Sequence, residues 1–431
     1  MKSFDDRIVV GLDIGTTKVV AVVGKYNEHG SIDILGMGTA PSEGVERGSI
    51  VYIEKTVQAI KTAVEKAEEQ SRVEIQVVTV GVSGEHIVAQ QETSINTMHE
   101  PDHEISEEDV DSLCRQLYGI KTPEGKEILH VIPQEFAVDS KRGIKDPIGM
   151  SGVRLEGTFH VVMCNTNHLR AVRRVIERAG LELDGIVLES LASSYATLIP
   201  EEMSEGVAVV DIGGGTTDLA IFEDNILRHT AVIPFGGNII TSDIRQGCKV
   251  MKKQAEELKR SFGSAMADAL EGEEIISIAH IPNHPPREIS RRTLAMVVQA
   301  RMEEIAEMAS AEIRRAGMEK NLVGGIVITG GGSNLAHTRQ LFEFVTGQTC
   351  RIGLPTTKLS KGLVEEVNNP VYATATGLVV YNLETDLGHS PEYFETARRK
   401  HRRTEPKNAG SSFLGSIKTF FEKAIDNSPI E

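Results

Sequence analysis

Two copies of one short sequence, far apart in the chain, constrain its fold more than any other feature. The first copy runs from Asp13 to Lys18 (DIGTTK) and the second from Asp211 to Asp218 (DIGGGTTD). Each follows a short apolar run typical of a buried strand, and each then turns through glycine into threonines. Glycine lets backbone N–H groups approach a phosphate, and threonine hydroxyls add further donors. The pair therefore predicts duplicated halves that close on one triphosphate from opposite sides.

Single residues within the two copies have expected roles. An aspartate at the end of a strand, beside such donors, suits a magnesium ion that bridges phosphate oxygens. Asp13 and Asp211 are therefore predicted to hold Mg²⁺, with Asp211 also near an attacking water; the alternative for both is that the aspartate caps a turn. The residues predicted to contact the β- and γ-phosphates are Gly15, Thr16, Thr17 and Lys18 from the first copy and Gly213, Gly214, Gly215, Thr216 and Thr217 from the second.

A third glycine cluster follows another β-branched run, between residues 324 and 334. No side chain there would block a flat ring or a sugar, although a tight turn is a simpler interpretation. The residues predicted to face adenosine are Gly330, Gly331, Gly332 and Ser333.

Together with two segments typical of connecting helices, at 189–195 and 372–378, these clusters resemble the superfamily of actin, sugar kinases and heat-shock ATPases. Within that superfamily the chain is most similar to the FtsA family, bacterial actin homologues that tie the division ring to the membrane. The similarity covers nearly the whole chain. It includes segments that the general superfamily does not share, namely 131–135 (VIPQE), 149–154 (GMSGVR) and 238–243 (NIITSD).

The resemblance implies an α/β, actin-like ATPase fold with two ribonuclease-H-like lobes around a nucleotide cleft and a small α+β subdomain inserted in the first lobe. It implies binding of ATP or ADP with Mg²⁺ and at most slow ATPase activity. Glu256, Lys259 and Arg260 match the superfamily element that clamps adenosine, unless they belong to a solvated helix face. Glu189 matches a carboxylate that positions water, and is equally well explained as a helix N-terminal acid favoured by the macrodipole.

The length of 431 residues is too great for one simple core and predicts several subdomains. The expected parts are a first-lobe core (1–83, 164–197 and a return at 371–387), an inserted subdomain (84–163), a second-lobe core (198–228 and 301–370), a second-lobe subdomain (229–300), a disordered basic linker (388–410) and an amphipathic membrane-targeting helix (411–426). Within these parts we expect a helix near 54–70, and a helical stretch between 236 and 293 with a Pro-rich turn at 282–286.

Charge and cysteine content favour a cytoplasmic protein. The net charge of −16 argues against general affinity for nucleic acid. Four widely spaced cysteines fit free thiols in a reducing compartment, without the paired spacing of a zinc site. No apolar run approaches the length that spans a bilayer, and no signal peptide precedes the first strand. Any membrane contact is therefore expected to be peripheral, on the inner face of the cell membrane.

The last segment regains helical periodicity after the basic linker. Its apolar residues form one continuous helix face while lysines, serines and an acid occupy the other. We expect this face to insert into anionic membrane lipid, the alternative being docking on a partner or on the protein's own body. The residues predicted to contact the membrane are Phe413, Leu414, Ile417, Phe420, Phe421 and Ile425.

The family resemblance also implies partners. These are the C-terminal peptide of FtsZ, other copies of the chain in filaments, and later division proteins through the inserted subdomain. An acidic peptide could be received by arginines of the second-lobe subdomain, namely Arg287, Arg291, Arg292 and Arg301. Two alternatives share the fold: a small-molecule kinase, which would have no use for the terminal helix, and a pilus-assembly scaffold like PilM, which should lack it.

Overall fold

A computed structural model describes residues 7–385, except 99, 101–102 and 279–286. The linker and membrane helix predicted at 388–426 lie outside the described residues. The first half of the chain forms β1 (Ile8–Ile14), β2 (Lys18–Tyr26), β3 (Ile32–Pro41), β4 (Val45–Glu46), β5 (Ser49–Ile50), α1 (Ile53–Ser71), β6 (Val77–Val82), β7 (Val88–Thr97), α2 (Glu107–Tyr118), β8 (Lys126–Val138), β9 (Lys141–Ile144), β10 (Arg154–Asn165), α3 (Thr166–Ala179), β11 (Glu182–Leu188), α4 (Glu189–Thr197) and α5 (Pro200–Glu205).

The second half repeats the alternation of strands and helices. It forms β12 (Val207–Ile212), β13 (Thr217–Glu223), β14 (Ile226–Ile233), α6 (Gly237–Gly247), α7 (Lys252–Phe262), β15 (Ile275–Ile278), β16 (Arg287–Ser290), α8 (Arg291–Arg315), β17 (Ile326–Thr329), α9 (Thr338–Thr346), β18 (Cys350–Ile352), β19 (Leu359–Gly362), α10 (Val364–Val367) and α11 (Ala373–Thr385), with short 3-10 turns at Gly331–Asn334 and Pro370–Tyr372.

The first lobe is built on a mixed sheet of strand order β11-β6-β1-β2-β3-β19. The first three strands pair antiparallel, and β6 and β11 then add in parallel. Helix α1 covers this sheet through an apolar face at helical spacing that includes Val57, Ile60 and Val64. Its backbone comes so close that a Cβ on Gly38 would lie 1.9 Å from the carbonyl oxygen of Ala63. The mixed α/β architecture expected from the sequence is confirmed.

The inserted segment has a separate core. Its antiparallel sheet has the order β7-β10-β8-β9 and is covered by α2. Helix α2 begins with a capping box, in which Ser106 and Asp109 satisfy each other's backbone N–H groups. Leu113 and Phe159 are fully buried between helix and sheet.

The second lobe repeats the first with a sheet of order β14-β13-β12-β17-β18. Helix α8 packs its apolar side, including Leu294, Val298 and Met302, into the core of this lobe. The sequence predicted a helical segment from 236 to 293, and this prediction is wrong for part of it. After α6 and α7, strands β15 and β16 form an antiparallel pair. The Pro-rich turn predicted at 282–286 lies outside the described residues.

Two helices cross where the lobes meet, and both were expected as connecting helices. Helices α4 and α11 pack on each other so closely that a Cβ on Gly377 would lie 1.9 Å from the carbonyl oxygen of Ala192. The inserted segment also contacts the second lobe. Gln134 donates to the backbone of β14 at Leu227 over 2.9 Å, and the ring of His160 is 2.9 Å from the hydroxyl of Thr230. In the described part of the chain, no helix has the length and apolar character needed to cross a membrane.

Candidate nucleotide-binding site

The two repeated sequences form hairpin loops of the same register. Ile14 pairs with Val19 across β1 and β2, and Ile212 pairs with Thr217 across β12 and β13. Each hairpin therefore leaves four residues in its loop, which are residues 15–18 in the first lobe and 213–216 in the second. We call these the first loop and the second loop.

The loops face each other at contact distance. A Cβ on Gly214 would lie 2.5 Å from Cγ2 of Thr17, and a Cβ on Gly215 would lie 2.6 Å from Oγ1 of Thr16. A side chain at Gly214 or Gly215 would collide with the first loop, so glycine is required at both positions for the close approach. The two repeated sequences thus meet between the lobes.

A cavity of about 590 Å³ lies between the loops, within the usual range for a small-molecule site. Most of the residues predicted from the sequence line it: Asp13, Gly15, Thr16, Thr17, Lys18, Glu189, Asp211, Gly213, Gly214, Gly215, Thr216, Glu256, Lys259, Gly330, Gly331 and Gly332.

Two predicted residues do not line the cavity. Thr217 is fully buried in β13, where its hydroxyl donates to the carbonyl oxygen of Phe235 over 2.8 Å. Ser333 is buried in a 3-10 turn, where its hydroxyl donates to the carbonyl oxygen of Gly330 over 2.7 Å. Both hydroxyls thus hold the backbone of their own lobe.

Other cavity residues were not assigned from the sequence. They are Ile14, Gly48, Asp218, Gly237, Asn238, Asn334, Leu335, Asn369, Pro370, Val371, Tyr372 and Thr374. Arg260, predicted together with Glu256 and Lys259, also lines the cavity. Asp218 could have been predicted from the sequence, because it ends the second repeated sequence. No sequence motif identifies the segment from Asn369 to Thr374 as part of the site, since it reaches the cavity only through the packing of α11 between the lobes. There the Nζ of Lys18 lies 6.0 Å from the centre of the Tyr372 ring.

Four carboxyl groups line this cavity, of which Asp13, Asp211 and Asp218 are buried and Glu189 is partly buried. Burial raises the pKa of Asp211 to about 6 and that of Asp218 to about 7, and neighbouring aspartates add to both shifts. Burial likewise raises the pKa of Asp13, against the attraction of Lys18. The pKa of Glu189 lies well above its usual value because of burial first and then of Asp13, Asp218 and Asp211.

Such a cluster suits a divalent cation. Lys18 is the one basic side chain that moderates the carboxyl pKa values of Asp13, Glu189 and Asp211. Carboxylate oxygens are the ligands that Mg²⁺ prefers, and the ion usually sits between one or two of them and phosphate oxygens. The residues present therefore fit the expected Mg²⁺, with Asp13 and Asp211 as the groups that would hold it.

The third glycine cluster lies against the end of β12, directly before the second loop. Gly330 has a φ of 78°, and a Cβ there would lie 2.2 Å from Oδ1 of Asp211. On the same lobe, the ammonium of Lys259 donates to the carbonyl oxygen of Gly237 over 2.9 Å and lies 2.7 Å from the carboxylate of Glu256. The pair therefore lies on the cavity wall. The start of α6 binds the polar atoms of both side chains. Lys259 is only 9% exposed, so it does not belong to a solvated helix face.

The position of Glu189 is compatible with both descriptions that the sequence left open. It is the first residue of α4, where the helix dipole favours an acid, and it also lines the cavity.

The arginines predicted to receive an acidic peptide lie around α8, away from the cavity. Arg291 pairs with Glu274 at 2.8 Å, and Arg292 pairs with Asp268. Arg301 bonds Asp243 at 2.7 Å and lies 5.7 Å from the centre of the Phe235 ring. The backbone of Arg287 starts β16, but its side chain is outside the described part of the structure. Each of the three described arginines thus already has an acidic neighbour in its own lobe.

Two lobes of this topology, joined by crossing helices around one cavity, define a protein of the actin-like ATPase fold. Solved structures with the same fold include a PilM–PilN type IV pilus biogenesis complex, with a TM-score of 0.63 and 15% identity over 88% of this chain and 99% of that one. They also include MreB5 of Spiroplasma citri bound to ADP, with a TM-score of 0.52 and 17% identity over 92% of this chain and 99% of that one. At such identities the likeness shows the fold alone.

The family follows from closer relatives. The chain is 39% identical to the cell division protein FtsA of Pseudomonas aeruginosa over 88% of its own length and 90% of the relative's. It is 35% identical to FtsA of Escherichia coli K12, over 91% and 94% of the two chains. The model of cell division protein FtsA matches residues 208–377, and that of the SHS2 domain inserted in FtsA matches residues 84–163. The chain belongs to the FtsA family, as its sequence motifs indicated.

Proposed function

We propose that the chain is an ATP-binding, filament-forming protein that anchors FtsZ filaments to the cytoplasmic face of the cell membrane at the division site. One observation carries the nucleotide part: two glycine loops from separate lobes meet over a cavity that contains buried carboxyl groups and a lysine. A triphosphate with Mg²⁺ matches this set, because the loops supply donors and the ion would satisfy the carboxylates.

Nucleotide acts in this proposal mainly as a clamp between the lobes. The first loop and Lys18 hold the β- and γ-phosphates from one side, and the second loop holds them from the other. The glycines at 330–332 and the pair Glu256–Lys259 border the adenosine. When bound, Mg²⁺ neutralises phosphate charge. Turnover is expected to be slow, since Glu189 is the candidate for positioning water and its burial favours the protonated form, which accepts no proton.

The clamp is tested by a glycine that the contact between loops requires. In Gly215→Ala the new Cβ would lie 2.8 Å from the backbone Cα of Arg47, so the loops must separate. We expect at least a tenfold loss of MgATP affinity in a calorimeter. The matched control is Gly247→Ala in the same lobe, where the nearest atom to the new Cβ is 3.4 Å away. A parent protein that binds no MgATP, or a Gly215→Ala protein that binds it like the control, would refute the proposal.

Membrane anchoring rests on the terminal segment 411–426. Six large apolar side chains at about 2 kcal/mol each give roughly 12 kcal/mol on insertion, and ordering about 14 residues at about 1 kcal/mol each offsets this. A single tail therefore binds weakly, whereas a filament presents many tails at high effective concentration. Phe420→Glu should abolish co-sedimentation with anionic vesicles, while Lys418→Ala on the polar face should not. Equal pelleting of Phe420→Glu and parent would remove this helix as the anchor.

The FtsZ peptide is proposed to dock near the start of α8. The ion pairs of Arg291 and Arg292 are partly exposed, and pairs of this kind contribute little stability, so an acidic peptide can replace Glu274 and Asp268. The double change Arg291→Glu and Arg292→Glu should weaken peptide binding and leave MgATP binding intact. If the variant bound the peptide with unchanged affinity and salt dependence, the FtsZ-binding site would have to lie elsewhere. Later division proteins and neighbouring copies are assigned to the inserted subdomain.

Family membership favours this role over the two alternatives. Relatives that match nearly the whole chain at 35–39% identity are named cell division proteins. The likeness to the pilus complex is at 15% identity and carries no function. FtsZ binding would separate a division protein from a pilus scaffold, and a screen for substrate phosphorylation would detect a kinase.

A further inference from the structure

Two histidines and a cysteine meet where the chain enters and leaves the inserted subdomain. His86 lies in the turn after β6, on the way into the subdomain. Cys164 is near the end of β10, on the way out, and His168 is in the first turn of α3. These residues are separate from the nucleotide cavity and have no part in the function proposed above.

The three side chains are arranged closely enough to share one ion. One ligand atom from each lies within 4.8 Å of the other two. The imidazole rings of His86 and His168 are 3.8 Å apart between centres, at an angle of 34°. Tetrahedral zinc holds nitrogen and sulfur ligands roughly 3.5 Å apart, given Zn–N bonds of about 2.0 Å and Zn–S bonds of about 2.3 Å. Small side-chain rotations therefore close the cluster around one ion.

One atom in the cluster lacks the partner that burial normally demands. The Nε2 of His86 is buried and, among the described residues, has no hydrogen-bond partner. Leaving a buried polar atom unpaired costs free energy, and such an atom calls for a ligand or another explanation. The thiol of Cys164 is free and fully buried.

The local environment keeps both imidazoles in the form that binds metals. Burial lowers the pKa of His86, and burial together with His86 lowers the pKa of His168 to about 3. Their nitrogen lone pairs are therefore available at neutral pH. Burial raises the pKa of Cys164 to about 12, so without an ion the sulfur keeps its proton. A bound cation reverses that preference, because the thiolate is the metal ligand.

Charged side chains of both signs lie near the cluster. Glu127 pairs with Cys164 across β8 and β10, so its negative charge lies on the same side of the sheet, although its carboxylate is not within the group of three ligand atoms. Glu85 adds negative charge near His86. Lys126 and Arg173 oppose a cation. Arg173, however, is 3.2 Å from Glu127 and partly neutralised by it.

We propose that His86, Cys164 and His168 bind one Zn²⁺ ion, which fastens the entry of the inserted subdomain to its exit. Two imidazoles and a thiolate are ligands that zinc prefers over Mg²⁺ or Ca²⁺. Binding replaces the thiol proton, which passes to solvent as the sulfur–zinc bond forms, and no oxidation occurs. The ion links residues far apart in sequence and so stabilises the native crossing.

The experiment uses the full chain, freed of metal by a chelator and titrated with zinc alone. The parent should bind one equivalent and melt at a higher temperature with zinc. With Co²⁺ in place of zinc it should show the near-ultraviolet absorption of a thiolate–cobalt bond. Cys164→Ser should lose that absorption and at least tenfold in zinc affinity. Cys248→Ser, at a half-buried cysteine outside the cluster, is the matched control and should behave like the parent.

A second variant guards against failure to fold. His168→Gln lies at a helix start and should keep the circular dichroism of the parent while losing at least tenfold in zinc affinity. His103→Gln, at a histidine paired with Asp109, is its control. The proposal is overturned if the parent binds no zinc, or if folded Cys164→Ser or His168→Gln binds it as tightly as its control; the stacked rings would then be packing alone.

Discussion

The first and second loops connect hairpins of the same register, yet they bring different groups to the cavity. In the first loop, threonines at 16 and 17 precede Lys18, the basic residue of the pair. In the second, glycines occupy the positions opposite those threonines, and the charged residue that follows, Asp218, lies in β13 beside Asp211. Duplication has preserved the backbone path, while the charges have diverged.

The supports of the loops differ as well. The first is held by the segment that follows its own hairpin, since the backbone N–H of Gly48 donates to the hydroxyl of Thr16 over 3.3 Å. The second is held by the start of α6, because the N–H groups of Gly237 and Asn238 donate to its carbonyl oxygens over 2.9 and 2.8 Å. The first loop therefore brings a lysine to the cavity, whereas the second loop is itself uncharged, is held by the start of a helix and is flanked by aspartates in β12 and β13.

The largest effect is expected at the aspartate of the second loop's hairpin. Asp211→Asn should lower MgATP affinity by well over tenfold, because a ligand of the ion is lost. Asp13→Asn, the matching change in the first hairpin, should lower it as well, because Asp13 is the second group expected to hold the ion. Calorimetry with and without Mg²⁺ distinguishes an aspartate that acts through the ion from one that acts on ATP directly. If Asp211→Asn weakened ATP binding equally in the absence of Mg²⁺, the aspartate would not act through the ion.

A smaller effect is expected from the cation of the first loop. Lys18→Met should lower ATP affinity about tenfold, at the lower end of the range of about 1.5–3 kcal/mol for a charge-assisted contact, because Lys18 is only partly buried. The loss should be greater for ATP than for ADP if the ammonium reaches the γ-phosphate. Thr216→Val, at the matching position of the second loop, removes a neutral donor and should cost less. Equal losses for ATP and ADP would place Lys18 away from the γ-phosphate.

The anionic side of the comparison predicts a pH dependence without nucleotide. The pKa values of Asp211 and Asp218, about 6 and about 7, exceed the ordinary value of 3.8. The folded protein therefore keeps protons that the unfolded chain has released, and its free energy of unfolding falls as pH rises from about 4 to about 7. The buried His130 and His160, with pKa values lowered to about 4, give the opposite slope.

The contribution of Asp218 is isolated by comparing Asp218→Asn with the parent. The difference in melting temperature between the parent and this variant should become smaller as the pH rises from 6 to 8. MgATP should reduce this pH dependence, because a bound cation favours the ionised carboxylates. A constant difference across this range would mean that Asp218 is ionised in the folded protein without nucleotide.

The sequence predicted what depends on local chemistry and missed what depends on long-range packing. The loops, the glycines at 330–332 and helix α1 follow from glycine placement and apolar periodicity, and all were expected. Strands β15 and β16 were missed, because each has only four residues and the sequence between them is rich in proline, which does not indicate a strand pair. The threonine pairs at 16–17 and 216–217 read as equivalents in sequence. Two extra glycines in the second copy shift its pair along the hairpin, so that Thr217 enters the strand.

The smallest expected effect tests that shift directly. Thr217→Val should leave MgATP affinity within about twofold of the parent, because the hydroxyl bonds Phe235 in the lobe interior and does not line the cavity. It should lower stability by about 1 kcal/mol, the usual value of one buried hydrogen bond. Thr17→Val, at a threonine that does line the cavity, should lower affinity more and stability less. The two variants are matched in chemistry, so calorimetry and thermal unfolding compare position alone. A loss of affinity in Thr217→Val as large as in Thr17→Val, at unchanged stability, would restore the equivalence that the sequence suggested.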